Sequence, residues 1–219
     1  MHAARTYQYL SSALVERSAG AEEKRRLILD AAVRVFAHKG FHTSRVGDIA
    51  EEAGVAHGLL YHYFSSKDEV LDTIFRETWS DLLVEIDEIE SSAESARDQL
   101  QRVASRLLGG WREHPDVIRV LVREIARSAE VQQRIGELVK PIESIQRIIA
   151  RGQETGEFRD DFDARVAGIL VYGGIEEVLS GWVLGQIPDG ADAVEAAERT
   201  LIDVLYAGFA ATSAPAGRP

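Results

Sequence analysis

A chain of 219 residues, 45% apolar and 28% charged, is long enough for one large globular domain or two small ones. It contains no cysteine, which excludes a disulfide framework, thiolate chemistry and a cysteine-ligated metal site. No apolar run of eighteen residues occurs, and no basic segment followed by an apolar one opens the chain. We therefore expect no membrane association and no signal peptide, and a cytoplasmic location.

The formal net charge of −11 argues against a basic surface over the whole chain, yet the charge is segregated. Residues 21–67 carry Lys24, Arg25, Arg26, Arg34, Lys39, Arg45 and Lys67 against Glu22, Glu23, Asp30, Asp48, Glu51 and Glu52. Four of the six histidines, His38, His42, His57 and His62, fall there too. That stretch is nearly neutral and the rest is strongly acidic, so any nucleic-acid surface belongs to the former.

Residues 1–20 lack a clear apolar period and read as a mobile N-terminal arm, with Arg5 and Arg17 as possible phosphate contacts. From Glu22 to His38, the spacing of Ile28, Ala32, Val35 and Phe36 predicts a helix, stopped by Gly40 after Lys39. Ser44 or Thr43 is placed to cap the next helix. In that helix Val46, Ile49, Ala50 and Ala53 share one face, and Gly54 supplies the left-handed residue that ends it.

A second short helix from Val55 buries Leu60 and Phe64. Two short helices broken by one glycine read as a helix-turn-helix over about 45–64, whose second helix can enter a major groove. Gly58 and His62 lie opposite Leu60 and Phe64, flanked by Leu59, Tyr61 and Tyr63. Glycine admits close approach, Leu59 suits a thymine methyl, and His62 can reach a base edge or phosphate. Tyrosine hydroxyls and Lys67 suit phosphates. A helical hairpin whose aromatics merely pack together is the competing interpretation.

The run Gly40-Phe41, Ile49 to Val55, Gly58 to Phe64 and Ser66-Lys67 resembles the tetracycline-repressor (TetR) family over about residues 24–80. The resemblance implies an all-α chain, with a three-helix DNA-binding head followed by a helical ligand-binding and dimerisation domain, about nine helices in all. It puts Ser44 and Arg45 at the groove wall. The expected DNA-contacting set is Ser44, Arg45, His57, Gly58, Leu59, Tyr61, His62, Tyr63 and Lys67. Two positions depart from the family pattern. Ala56 stands where the family often has a capping serine, and Leu59 where it often has threonine, which implies an unusual operator preference.

Ser66 and Glu69 have capping-box spacing at the start of a long helix reaching about Ile89. Its apolar positions, from Val70 and Leu71 to Ile86, run from the head (21–67) into the second domain (68–211). Further helices are expected from Leu100 to Trp111, from Val117 to Ala126, and from Val131 to Gln153, the last kinked by Pro141. The final pair, about Asp163–Leu184 and Asp192–Ala210, carries apolar residues on more than one side. That excess predicts a four-helix homodimer interface around a twofold axis, matching a palindromic operator. Gly174, Val178, Trp182, Leu201 and Leu205 are its expected members. A tail over 212–219 reads as disordered.

For an effector, the aromatic and polar residues set among aliphatic ones are Trp111, Tyr172, Glu176, Glu177 and Trp182, and the expected ligand-contacting set is Trp111, Tyr172, Gly173 and Glu176. The Gly173-Gly174 pair implies close approach of a twin helix or a ligand, since each glycine costs a helix about 1 kcal/mol relative to alanine. The stretches Gly152 to Phe158, Tyr172 to Glu177 and Ser180 to Val183 resemble one TetR branch, the repressors of fatty-acid degradation genes released by long-chain acyl-coenzyme A. By that resemblance the effector is a small lipophilic acyl-CoA or fatty acid. Arg102, Arg106, Arg112, Arg119, Arg123, Arg147 and Arg151 are available for its phosphates. A drug-efflux regulator with another hydrophobic ligand is the second interpretation.

A helical dimer that does not bind DNA and an enzyme are the remoter alternatives. No phosphate-binding glycine loop, HExxH or GxSxG motif is present, and His114 has only the adjacent Glu113 as a carboxylate neighbour. No catalytic residue, metal site or cofactor is expected.

Overall fold

Apolar residues recur at three- and four-residue spacings and only five prolines interrupt the chain, so helix is the economical way to satisfy the backbone. The structure is a computed structural model. It describes the backbone over residues 2–124 and 135–210, and side chains over 20–124 and 136–210. Within these limits the chain is all-α. Its helices are α1 (His2–Lys39), α2 (Val46–Glu52), α3 (His57–Tyr63), α4 (Lys67–Glu90), α5 (Ala96–Glu113) and α6 (Pro115–Glu124). After the undescribed residues come the single turn α7 (Ile135–Leu138), α8 (Lys140–Glu154), α9 (Ala164–Val183) and α10 (Ala191–Phe209). The one β-type pairing among the described residues is an isolated bridge between Phe158 and Ala210.

Two compact units divide the chain at Phe75/Arg76, a little beyond the boundary expected at residue 67. The first turns of α4 therefore belong to the head: Val70, Leu71, Ile74 and Phe75 are buried there with Ile28 and Phe36 of α1. The expected arm also differs, because its backbone is helical from His2 and continuous with the helix predicted from Glu22. No proline interrupts this segment, and alanine, leucine, glutamine and arginine all favour helix. Arg5 and Arg17, and the tail over 212–219, lie outside the residues whose side chains are described.

In the head, α2 ends in a hydrogen-bonded glycine turn. Gly54 has φ +65°, its N–H donates to the Glu51 carbonyl at 3.1 Å, and the Val55 N–H donates to the Ala50 carbonyl at 3.0 Å. This is the Schellman arrangement, which satisfies two carbonyls that the helix end would leave open. Helix α4 opens with Ser66 Oγ accepting from the Glu69 N–H at 3.1 Å. The Glu69 carboxylate reaches back to the Ser65 N–H at 2.6 Å, so the capping box is closed one residue further upstream than its usual form.

Two polar residues of the head have other duties than expected. Ser44 is buried and its hydroxyl donates to the Phe41 carbonyl at 2.8 Å, so it does not cap α2. The N-cap position is Arg45, whose N–H donates to the Asp48 carboxylate at 2.7 Å. Lys67 turns inward: its ammonium donates to the carbonyls of Phe41 at 2.6 Å and Ser44 at 3.1 Å, and it lies 4.5 Å from the Phe41 ring centroid. It ties the α1–α2 loop to the start of α4 and is already committed to these acceptors. Lys39 pairs with Asp48 at 2.7 Å and holds that carboxyl below its usual range, with help from the Arg45 N–H.

In the second unit, α5, α8 and α9 pack together around Leu108, Ile145, Ile149 and Ile175, with α10 lying against α5 and α9. Pro141 does not kink a long helix as expected. The chain turns at Val139, and α8 restarts with Pro141 in its first turn, where the missing N–H has no partner to lose. The expected ends of the preceding helices, at Ala126 and Val131, lie outside the described residues.

A clasp built from 152–158 holds α5, α8 and α10 together. Gly156 (φ +74°) turns the chain, and the Glu157 carboxylate accepts from the Ala96 and Arg97 N–H groups at 2.8 and 3.0 Å, capping α5. Phe158 presses so closely on Gly152 that a Cβ at 152 would collide with its ring. At the end of α4, the Glu90 carboxylate accepts from Arg147 Nε at 2.6 Å, Arg147 Nη2 at 2.9 Å and Ser144 Oγ at 2.5 Å. The Arg147 bond is the main reason the Glu90 carboxyl titrates below its ordinary value, against the opposing effect of burial.

Two stability tests come from these polar ties. Lys67→Met should cost the head about 1–3 kcal/mol, because two to three inward carbonyls lose their donor, as read by chemical denaturation. Glu90→Gln should lower the thermal midpoint at neutral pH by about 2–4 °C. Because the folded-state pKa of Glu90 is depressed, its contribution is present above the unfolded carboxyl value of about 4.3. It fades as pH falls through the lower folded value, so wild type and variant should converge in acid.

Candidate nucleic-acid interface and effector cavity

The geometry of α3 follows from two buried anchors. Leu60 is fully buried and Phe64 nearly so, which fixes the rotation of the helix about its axis. His57, Gly58, Tyr61 and His62 consequently face solvent, with Leu59 and Tyr63 half-buried along the flanks. Tyr61 is 54% exposed, an unusual setting for a large aromatic. The rings are ordered against one another: His57 stacks on Tyr61 at 5.5 Å and His62 meets Tyr63 edge-on at 5.4 Å.

Gly58 has no reason within the head. A Cβ built there would meet nothing within 4 Å, and its backbone is ordinary helix. The absent side chain leaves room for something outside the head, as groove docking requires. Helix α3 starts at Ala56 with no side-chain cap, as the departure at that position implies.

Of the expected DNA-contacting residues, the structure brings Arg45, His57, Gly58, Leu59, Tyr61, His62 and Tyr63 to the exposed or half-exposed surface of the motif. It takes Ser44 and Lys67 inward, for the loop contacts described above. Arg34 is paired with Glu52 at 2.6 Å and Arg25 with Glu22 at 3.1 Å. Much of the basic charge counted in the head is thus engaged inside it. The character of the surface comes from the α3 face more than from net charge.

In the second unit a cavity of about 130 Å³ opens between α4, α5, α6 and α9. Its walls are mainly aliphatic and aromatic, including Trp79, Leu107, Leu121 and Ile175, with Thr78, Arg106, Tyr172 and Glu176 as polar members. Of the residues expected at the effector, Tyr172 and Glu176 line this cavity, and Trp111 and Gly173 do not. Trp111 is buried beside Trp182 at 5.9 Å between ring centroids, with the Arg119 guanidinium 5.3 Å from its own ring. Gly173 lies on the outer face of α9. Arg106 lines this cavity, whereas Arg112 and Arg119 line a separate open hollow beside Trp111. Arg102 and Arg147 are held by Glu94 and Glu90.

Sequence reasoning missed Trp79. It is buried in the cavity wall and its indole N–H donates to the Glu137 carbonyl at 2.9 Å, tying α7 to α4. Its four-residue spacing from Phe75 and Leu83 was the available signal.

Helix α9 leaves an apolar row uncovered, and α10 exposes one large apolar side chain. Val166, Ile169, Leu170 and Gly173 follow one face of α9, and Leu170 is 68% exposed. Val204 on α10 is 66% exposed. By length and composition α9 could cross a membrane, but its apolar residues are divided between its own core and this row. The expected pairing residues are distributed differently. Trp182 is buried within its own chain, because it packs on Trp111. Gly174 is accounted for internally, since a Cβ there would lie 3.2 Å from Leu201 Cδ1, whereas a Cβ at Gly173 would meet nothing. Val178, Leu201 and Leu205 are half-buried.

Comparison with known proteins agrees with this division. Residues 28–74 match the model described as bacterial regulatory proteins, tetR family, and residues 75–200 match the C-terminal region of YsiA-like protein. A fatty acid metabolism regulator protein of Bacillus subtilis (strain 168) is 30% identical over 186 residues, covering 83% of this chain and 93% of its own. The structure of the transcriptional regulator FadR from Bacillus subtilis in complex with stearoyl-CoA superposes with a TM-score of 0.72 at 27% identity, covering 84% of this chain and 98% of that one. The fatty acid degradation regulator FadR from Bacillus halodurans gives 0.73 at 26% identity, covering 84% and 95%. With a tetR-type head and a YsiA-like second half matched along most of its length, this chain belongs to the TetR family of bacterial transcriptional regulators.

Proposed function

We propose that the chain is a ligand-responsive transcriptional repressor of fatty-acid metabolism genes. It binds a palindromic operator as a homodimer and is released by long-chain acyl-coenzyme A. The observation carrying the DNA-binding part is the outward face of α3, where Gly58, Tyr61 and His62 stand exposed over the buried Leu60 and Phe64. Arg45 and the tyrosine hydroxyls serve phosphates, while Leu59 and His62 address base edges. The similarity to regulators of fatty acid metabolism, one of them in complex with stearoyl-CoA, supports the choice of effector. The cavity with Tyr172 and Glu176 is the site for its acyl end.

The uncovered row Val166, Ile169, Leu170 and Gly173 of α9 supports pairing of two chains, because a row of exposed apolar side chains along one helix face is costly unless covered. Two heads related by a twofold axis then meet two half-sites. Helix α4 runs unbroken from the last part of the head into the cavity wall, so an effector that shifts α4 changes how the heads are presented. Such a regulator works in the cytoplasm and needs no catalytic residue.

A gel shift with the DNA upstream of the chain's own gene should give a sequence-preferring complex that weakens steeply with salt. Leu59→Ala or His62→Ala should change base preference by about 1–3 kcal/mol at one position of each half-site. Long-chain acyl-CoA should dissolve the complex. Absence of a sequence-preferring complex overturns the regulator reading, and release only by cationic drugs points instead to efflux control. Leu170→Glu should convert the dimer to a monomer on a sizing column and abolish tight operator binding, while helical content stays the same.

A further inference from the structure

The polar rim of the cavity carries a charge arrangement that acyl-CoA release does not by itself require. Among the described residues lining the cavity, Arg106 is the one cation and Glu176 the one anion. The cation is already neutralised: Arg106 pairs with Glu85 through Nε and Nη2, the latter at 3.1 Å from the carboxylate. Glu176 has no ion-pair partner among the described residues, and it is exposed at the rim one helical turn beyond Tyr172. Among the described residues, the cavity mouth therefore presents a negative charge with no cation paired to it, beside an apolar interior.

Tyr172 complements it. Burial, and then the neighbouring Glu176 charge, push its hydroxyl up to about 12, so at neutral pH it is an uncharged donor. A donor without positive charge next to a carboxylate welcomes a carbonyl oxygen and disfavours a second anion.

We propose that Glu176 is a charge filter for the effector: the cavity accepts an apolar chain whose head is an uncharged carbonyl, held by the Tyr172 hydroxyl, and rejects the same chain ending in a free carboxylate. This rests on the reading of the cavity as the effector site. The phosphates of a coenzyme A thioester do not conflict with it. The pantetheine arm carries them farther from the thioester than the Debye length of about 8 Å, where the field of Glu176 is screened. The filter separates an activated fatty acid from the free acid by the sign of one charge, with no change in chain length.

The test titrates the full chain, at low and high salt, with three ligands sharing a dodecyl-length chain below their micelle concentrations. They are the N-acetylcysteamine thioester, the free carboxylate and the alkylammonium. Wild type should bind the thioester about threefold to tenfold more tightly than the carboxylate at low salt, with the gap narrowing at high salt. Glu176→Gln should strengthen carboxylate binding by a similar factor and weaken alkylammonium binding, so that the thioester-to-carboxylate ratio falls towards one. Tyr172→Phe should weaken the thioester alone. A Glu176→Gln variant that shifts all three ligands alike, or none, overturns the filter. So does wild-type binding of carboxylate and thioester with equal affinity. Failure of every chain to bind overturns both the filter and the effector reading, whereas tight acyl binding without head-group preference overturns the filter only.

Discussion

The burial of Leu60 and Phe64 is the constraint on which the DNA-facing half depends. Helix α3 has seven residues, far too few to be stable as an isolated helix, so its existence and its rotation are both set by what it packs against. With these two side chains pinned in the head, the opposite face can carry residues that do nothing for stability. Gly54 contributes the entry angle through its hydrogen-bonded turn. The polar ties around Lys67 and Asp48 then hold the flanking loops, so that a very short recognition helix is presented on a firm base.

The second half solves a different problem, in which α9 must serve three neighbours at once. One side of it, with Val171 and Ile175, completes the core against α8 and α5. Another side, through Tyr172 and Glu176, supplies two of the four polar members of the cavity. The remaining side, Val166 to Gly173, faces outward and apolar. This triple use explains why the helix reads as apolar nearly all round, without needing a lipid environment. It also joins the cavity and the exposed apolar row physically, because any adjustment of α9 on one side is felt on the other.

The features legible in the sequence were those set by local period. The helix breaks at Gly40 and Gly54, the anchors Leu60 and Phe64, and the buried series in α4, α5 and α8 all follow from spacing alone. Polar side chains were less legible, since their partners depend on the path of distant chain. The family resemblance puts Ser44 at the groove wall and residue type suits Lys67 to phosphates, but Phe41 brings a carbonyl within reach of both. Trp182 looked like an interface residue because it lies on an apolar helix, and only the position of Trp111 shows that it is internal. The 152–158 stretch was recognisable as a pattern, while its physical meaning, a clasp with Phe158 pressed on Gly152 and Glu157 capping α5, required three dimensions. Gly58 and Gly173 are the instructive pair: each lacks any internal reason for glycine, and each sits where an outside partner is expected.

The placement of the three tryptophans has a practical corollary. Trp79, Trp111 and Trp182 all belong to the second unit, and all are at most 4% exposed, whereas the head carries tyrosine and histidine instead. Indole emission from this protein is therefore a private optical channel of its sensory half. Trp79 stands in the cavity wall, and the close Trp111–Trp182 pair answers to the packing of α5 against α9. Engagement of nucleic acid by the head contributes no indole of its own to that signal, so sensing can be followed separately from docking in the unlabelled protein.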